Sequence, residues 1–162
     1  LLEPEYDLPL QIAALGRVRE SHQNAGLVIV GSGSLAAQLR EQIAAQPWGS
    51  HILLAGDVPH AATLRAIRES SAVLRTTHYD GDSISVREAL ELGTPVIATD
   101  NGMRPPGCHL IGLPPALDAV IAAVEQALVR TRVEPVRADN TRNLDAVLEL
   151  YEQVLKPGAR PR

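Results

Sequence analysis

The sequence predicts an α/β fold, a parallel sheet with helices on both of its faces. Three observations carry this. Short β-branched runs alternate with stretches whose apolar residues recur at helical spacing. The runs are apolar throughout, as strands buried on both faces are. Gly, Pro, Asp or Ser punctuates the junctions. Strands alternating with helices demand right-handed crossovers, and such sheets bind ligands at the carboxyl ends of their strands.

Taken in order, Leu8, Ile12, Leu15 and Val18 mark an amphipathic helix that should follow a strand lying before Leu1, so the first strand is expected to be truncated. Strands follow at residues 27–30 (LVIV), 51–54 (HILL), 72–74 (AVL) and 95–98 (PVIA). Between them Leu35/Leu39/Ile43, Leu64/Ile67 and Val86/Ala89/Leu90 repeat at helical spacing. Pro59 opens the second of these helices and Gly93 closes the third. A short strand is expected at residues 110–113. Two amphipathic helices should follow, on Leu117/Val120/Ile121/Val124/Leu128 and Leu144/Val147/Leu148/Tyr151/Val154, joined by the polar segment 130–140. Residues 156–162 have the Pro/Gly/Arg composition of a flexible tail.

With 162 residues and 45% apolar content the chain can bury one core, and a single domain over residues 1–162 is expected. A net charge of −4 provides no basic field for nucleic acid or anionic lipid, and a single Trp with three Tyr offers few stacking platforms. Cys108 alone excludes an intrachain disulfide framework. No apolar run approaches the roughly 20 residues a spanning helix needs, so a cytoplasmic protein is expected. The chain opens on Leu1 and its only methionine is Met103, which reads as a fragment.

Two carboxylates, Asp80 and Glu88, flank the segment with the densest chemistry. Between them Gly81, Asp82, Ser83, Ile84 and Ser85 keep side chains small or polar where a helix begins, so free N–H groups can face an anion. Carboxylates beside a phosphate could accept hydrogen bonds from sugar hydroxyls. A plainer reading of Glu88 is a capping box, Ser85-Val86-Arg87-Glu88. Asp80-Gly81-Asp82 near His78 also has oxygen ligands for a divalent cation, but two acids beside a turn glycine are more often solvated turn residues, and no metal is expected. Gly31-Ser32-Gly33-Ser34-Leu35-Ala36 fits G-x-G-x-x-A after a strand, with Asp57 beyond the next one, as in a dinucleotide site. Its plainer reading is a tight strand-to-helix turn with Ser34 as N-cap. His22, His51, His60 and His109 form no ligand spacing, and Cys108 lacks the partners of a nucleophile. Arg104, in the loop after the fourth run, could meet a phosphate or simply be an exposed loop arginine.

From Leu27 to Leu128 the chain resembles the C-terminal, donor-binding domain of GT-B fold glycosyltransferases, specifically the retaining family 4. The resemblance rests on Leu27-Val28-Ile29-Val30-Gly31-Ser32-Gly33, on Ile52-Leu53-Leu54-Ala55-Gly56-Asp57-Val58, and above all on the acid-x7-acid stretch running into Glu88-Ala89-Leu90-Glu91-Leu92-Gly93-Thr94-Pro95-Val96-Ile97-Ala98. It implies a Rossmann-like sheet forming the C-terminal half of such an enzyme. The bound substrate would be a nucleotide diphosphate sugar, with no further cofactor. Glu88 would hold the ribose and Asp80, where the family usually has Glu, the donor sugar. Gly31 and Gly33 would lie on the donor side, backbone around Ser83, Ile84 and Ser85 would meet the sugar or distal phosphate, and Asp57 and Val58 would border the base.

The resemblance also implies an arginine and a lysine near the domain's start that neutralise the departing diphosphate. Here Tyr6 stands about where the lysine is expected, among Glu3, Glu5 and Asp7, which would repel a diphosphate. Arg75, Arg87 and Arg104 are the remaining phosphate candidates. The acceptor would belong to an absent N-terminal domain of the same polypeptide, through which any peripheral membrane association would also run, and the fragment alone should be inactive. Two alternatives stand: a nucleotide- or glycan-sensing module without catalysis, and an NAD-dependent dehydrogenase fragment built on Gly31 to Ala36.

Overall fold

A computed structural model of the chain describes residues 1–129. The expected connection at 130–140, the helix on Leu144 to Val154 and the tail at 156–162 lie outside them.

Among the described residues five strands and five α-helices follow one another, alternating except that the fourth strand leads directly into the fifth. In chain order these are α1 (Leu8–Ser21), β1 (Leu27–Val30), α2 (Ala36–Ala44), β2 (Ile52–Gly56), α3 (His60–Glu69), β3 (Val73–Arg75), α4 (Ile84–Glu91), β4 (Val96–Thr99), β5 (Cys108–Ile111) and α5 (Leu117–Val129). Strand β4 shows the layering most simply, because its side chains alternate between two cores. Ile97 packs with Ile111 of β5, Ala14 of α1 and Val120 and Ala123 of α5. Val96 and Ala98 point the other way, onto Ile67 of α3 and Val86, Ala89 and Leu90 of α4. Helices therefore cover both faces, and all four β4 residues are buried. A third cluster joins Leu2, Leu8, Ile12 and Leu39 to Ile29 of β1.

The sheet comes in two pieces, β1–β2 and β3–β4–β5, all pairings parallel. Between the inner edges of β1 and β3 opens a cleft of about 120 Å³ lined by Leu1, Leu2, Val28, Val30, Leu74 and Arg75, with α1 contributing Leu8 and Gln11.

Helix α4 ends as its sequence requires. Gly93 takes φ 71°, its N–H bonds Leu90 O (3.1 Å), and Thr94 N–H bonds Ala89 O (2.8 Å). These two bonds form a Schellman cap, which satisfies terminal carbonyls and turns the chain directly into β4. Three sequence expectations are corrected. The last strand begins at Cys108 and ends at Ile111, because its register is set by pairing Val96 with Cys108 and Thr99 with Ile111. The N-cap of α2 is Leu35 rather than Ser34, whose hydroxyl instead donates to the Glu3 carboxylate. The N-cap of α4 is Ser83, so Ser85 lies inside the helix and no Ser85–Glu88 capping box forms.

Candidate functional site

Of the acids and arginines picked out by sequence, Asp80, Arg75 and Arg104 come together beyond the carboxyl ends of β3 and β4. Asp80 follows β3 in a loop, and its carboxylate is surrounded by donors. Oδ2 accepts from Arg75 Nε (2.8 Å), Arg104 Nη1 (2.8 Å) and Thr77 Oγ1 (3.4 Å), while Oδ1 accepts from Arg75 Nη2 (3.2 Å) and its neighbour's N–H at Gly81 (3.0 Å). A carboxylate offers about four acceptor sites, so Asp80 has little capacity left. Partial burial pushes this carboxyl up, but hydrogen bonds and charge from Arg75 and Arg104 outweigh it and bring the pKa down to about 2.

The two guanidiniums differ. Arg104 has a side chain only 1% exposed. Its Nε donates to Thr99 O (3.1 Å) and its Nη2 to Thr77 Oγ1 (2.8 Å), so it ties together three chain segments. Asn101 adds a bond from Nδ2 to Asp80 O (2.9 Å), and Thr99 Oγ1 donates to Thr77 O (2.7 Å). Arg75, 18% exposed, lies with its guanidinium carbon 4.7 Å from the centre of the Tyr6 ring and borders the cleft between β1 and β3. Arg87 grips Asp82 side-on at the surface (Nε to Oδ1 2.8 Å, Nη2 to Oδ2 2.7 Å).

Glu88 sits on α4 with a side chain 19% exposed. Its Oε1 lies 2.7 Å from His60 Nε2 at the first position of α3, and Oε2 has no partner among the described residues. The exposed Asp57 and half-buried Val58 lie in the loop just before α3. Ser83 provides no side-chain cap, and Val86 and Arg87 take its carbonyl, so the N–H groups of Ile84 and Ser85 keep no helical partner. These N–H groups, the open carboxylate oxygen and Nη1 of Arg75 have no partner among the described residues.

The Gly31–Ser34 turn has a different occupant. A Cβ on Gly33 would stand 2.5 Å from Leu2 O and 2.7 Å from Glu3 Oε1. Glu3 accepts from Ser34 N–H (2.9 Å) and Oγ, bonds that lower its own pKa, and Leu2 N–H bonds Ser32 O (2.9 Å). Gly31 N–H turns back onto Gly56 O (2.8 Å). The chain's own carboxylate fills the place that the dinucleotide reading reserved for pyrophosphate. The expectation of a repulsive acidic cluster at residues 1–7 also changes, because Glu3 serves this turn and Asp7 pairs with His78 (2.9 Å).

Sequence reasoning missed His60, Asn101, Thr77 and Thr99, and gave Tyr6 no positive role. Cys108 is half-buried against the α4 core, and burial raises its thiol pKa despite the charge of Arg104. Among the described residues no group of His, Cys, Asp and Glu is arranged to hold a metal ion, and no helix is long and apolar enough to cross a membrane.

Fold and site together define a parallel α/β domain with its ligand edge at the strand carboxyl ends. The model of the family "Glycosyl transferases group 1" matches residues 1–106, and the chain belongs to that family. No curated protein matches. Among solved structures the chain is similar to the pneumococcal O-GlcNAc transferase GtfA in complex with UDP and GlcNAc, at 21% identity and a TM-score of 0.69 over 94% of this chain and 33% of that one. It is also similar to a variant of S. aureus TarM in complex with fondaparinux, alpha-GlcNAc-glycerol and UDP, at 19% identity and a TM-score of 0.66 over 78% of this chain and 27% of that one. A further TarM structure matches at 18% identity and a TM-score of 0.65, over 93% of this chain and 33% of that one. The chain thus spans a third or less of the length of these proteins, and the likeness establishes the fold, part of a GT-B glycosyltransferase.

Proposed function

We propose that this chain is the donor-binding domain of a retaining, metal-independent glycosyltransferase. It would take a nucleotide diphosphate sugar and present the sugar to a glycan, lipid or small-molecule acceptor held by an N-terminal domain of the same polypeptide. The observation that carries this is Glu88, fixed by His60 on one oxygen and open on the other, one turn beyond a helix start whose N–H groups are free. A carboxylate so placed accepts from the two ribose hydroxyls while the N–H groups face the sugar or its phosphate. Asp57 and Val58 border the base.

Transfer requires stabilising a departing diphosphate and an oxocarbenium-like centre, which is positioning and electrostatics that one domain provides only on the donor side. The test is calorimetric titration of UDP, GDP and ADP into the chain. One of them should bind, Glu88→Ala should weaken it by about tenfold or more, and NAD(H) should not bind. Binding of NAD(H) alone, or sugar turnover by residues 1–162 without another domain, would overturn the reading. A sensing module is the second reading, favoured by the commitment of Asp80 to two arginines. It gains if the longer polypeptide binds donor and never turns it over.

A further inference from the structure

We propose that Arg75 is the cation that meets the diphosphate of the donor, and that Asp80 is a positioning residue that aims Arg75 rather than a contact to the donor sugar. This rests on the donor-binding reading above. The need is chemical, since a departing diphosphate is a concentrated negative charge that a preorganised cation stabilises at little reorganisation cost.

Of the three candidate arginines, two are committed elsewhere. Arg87 forms a fork with Asp82 at the surface. Arg104 is almost fully enclosed, with each guanidinium nitrogen bonded to Thr99 O, Asp80 or Thr77. Arg75 differs in both respects. Its Nε and Nη2 bond Asp80, while Nη1, with two protons, has no partner among the described residues. It lines the cleft at the carboxyl end of β3.

The surroundings hold that geometry. Tyr6 stacks beneath the guanidinium and fixes its plane. Asp80 fixes its rotation about that plane through a bidentate contact. Arg104 in turn anchors Asp80 from the opposite side through the same Oδ2. The trio carries two positive charges against one negative, so one positive charge is left for an anion. Saturated as it is, Asp80 would have to break an arginine contact to bind a sugar hydroxyl, whereas Arg75 can donate from Nη1 to a phosphate oxygen without giving up anything.

The experiment is a calorimetric comparison of UDP, UMP and uridine on the whole chain and on Arg75→Gln, Arg75→Lys, Asp80→Asn and Glu88→Ala, each checked for folding by circular dichroism. Wild type should bind UDP more tightly than uridine, with the excess falling as salt is raised. Arg75→Gln should weaken UDP about tenfold to hundredfold, the range for a hydrogen bond to a charged group, and leave uridine unchanged. Asp80→Asn should weaken UDP less and, in the Arg75→Gln background, should have no further effect, as a residue acting through Arg75 must. Arg75→Lys, which keeps the charge but not the fork, should recover part of the loss and reads the same question if the glutamine variant does not fold. Equal affinity of wild type for UDP and uridine would overturn the proposal. So would wild-type UDP affinity in Arg75→Gln while Glu88→Ala still weakens binding, a result that leaves the donor reading standing. Failure of wild type to bind UDP, GDP or ADP would overturn both.

Discussion

Two turns at the carboxyl edge of the sheet look like anion sites in sequence, Gly31 to Ser34 after β1 and Asp80 to Ser85 after β3. In the first, the chain supplies its own anion: the Glu3 carboxylate takes the Ser34 N–H and hydroxyl, and the Leu2 carbonyl presses on Gly33. In the second, arginines hold the local carboxylate aside, and the N–H groups at the start of α4 stay open. A glycine pattern reports that something approaches the backbone closely. It does not say whether that something is a ligand or another part of the same chain. What separates a filled turn from a receptive one is where the nearest carboxylate is tied, and by what.

The comparison breaks most sharply at Arg104. Removing its guanidinium leaves Asp80, Thr77 and Thr99 without their shared donor in a place with little water, and breaking such a buried pair costs about 3–5 kcal/mol. Arg104→Gln should therefore lower urea-unfolding stability by that order, and loosen the second turn while the first stays intact. The acid limb gives an independent reading. Because Asp80 titrates near 2 when folded against an ordinary 3.8, its contribution is present above about pH 4 and is lost as pH falls through about 2. In Arg104→Gln the folded value should move up, so the acid-dependent loss should be smaller and confined closer to pH 4. An unchanged acid limb would mean that Arg104 does not hold Asp80 in solution.

A smaller effect is expected where the chain fills its own turn. Gly33→Ala would force a methyl group onto Leu2 O and Glu3 Oε1, and overpacking of this kind costs about 1–3 kcal/mol. The N-terminal segment should be displaced from the turn, which the exchange rate of the Ser34 amide proton would show directly, since that proton is held by Glu3. If the substitution is neutral and the Ser34 amide stays protected, the turn has room to spare and a ligand could share it with Glu3. The distinction between the two turns would then be lost.

The sequence made the elements legible but not their partners. Strands β1 to β4 lie within a residue or two of the apolar runs that announced them, although only β4 is buried at every residue, and Val28 of β1 and Leu53 of β2 stand exposed. Strand β5 was displaced because it carries the exposed His109 and Leu110, and only its pairing with β4 fixes the register. The two expected serine caps fail for different reasons: Ser34 is drawn to Glu3, 31 residues away, whereas α4 starts earlier than the capping box requires, so Ser85 lies inside the helix with its hydroxyl on its near neighbour Ser83. At the site, Asp80 and Glu88 were readable as chemistry, but what fixes them comes from far along the chain. His60 is 28 residues from Glu88 and Arg104 is 24 from Asp80. Such pairings leave no periodic trace in one sequence.

The least effect is expected at Arg87, which tests whether the second turn needs all its ion pairs or only the buried ones. The Arg87–Asp82 fork has better geometry than the Arg75–Asp80 contact, with bonds of 2.7 to 2.9 Å, yet its side chains are 39% and 44% exposed. Water screens both charges before the pair forms, so little is gained when they meet, typically about 0–1 kcal/mol. Arg87→Ala should therefore shift the urea midpoint by no more than a small fraction of the Arg104→Gln shift, and should leave nucleotide affinity within about twofold of wild type. A loss of UDP affinity as large as that expected for Arg75→Gln would move the anion site outward from the cleft to the exposed end of α4. The geometry assigns exposure, not bond length, as the quantity that decides which arginine matters.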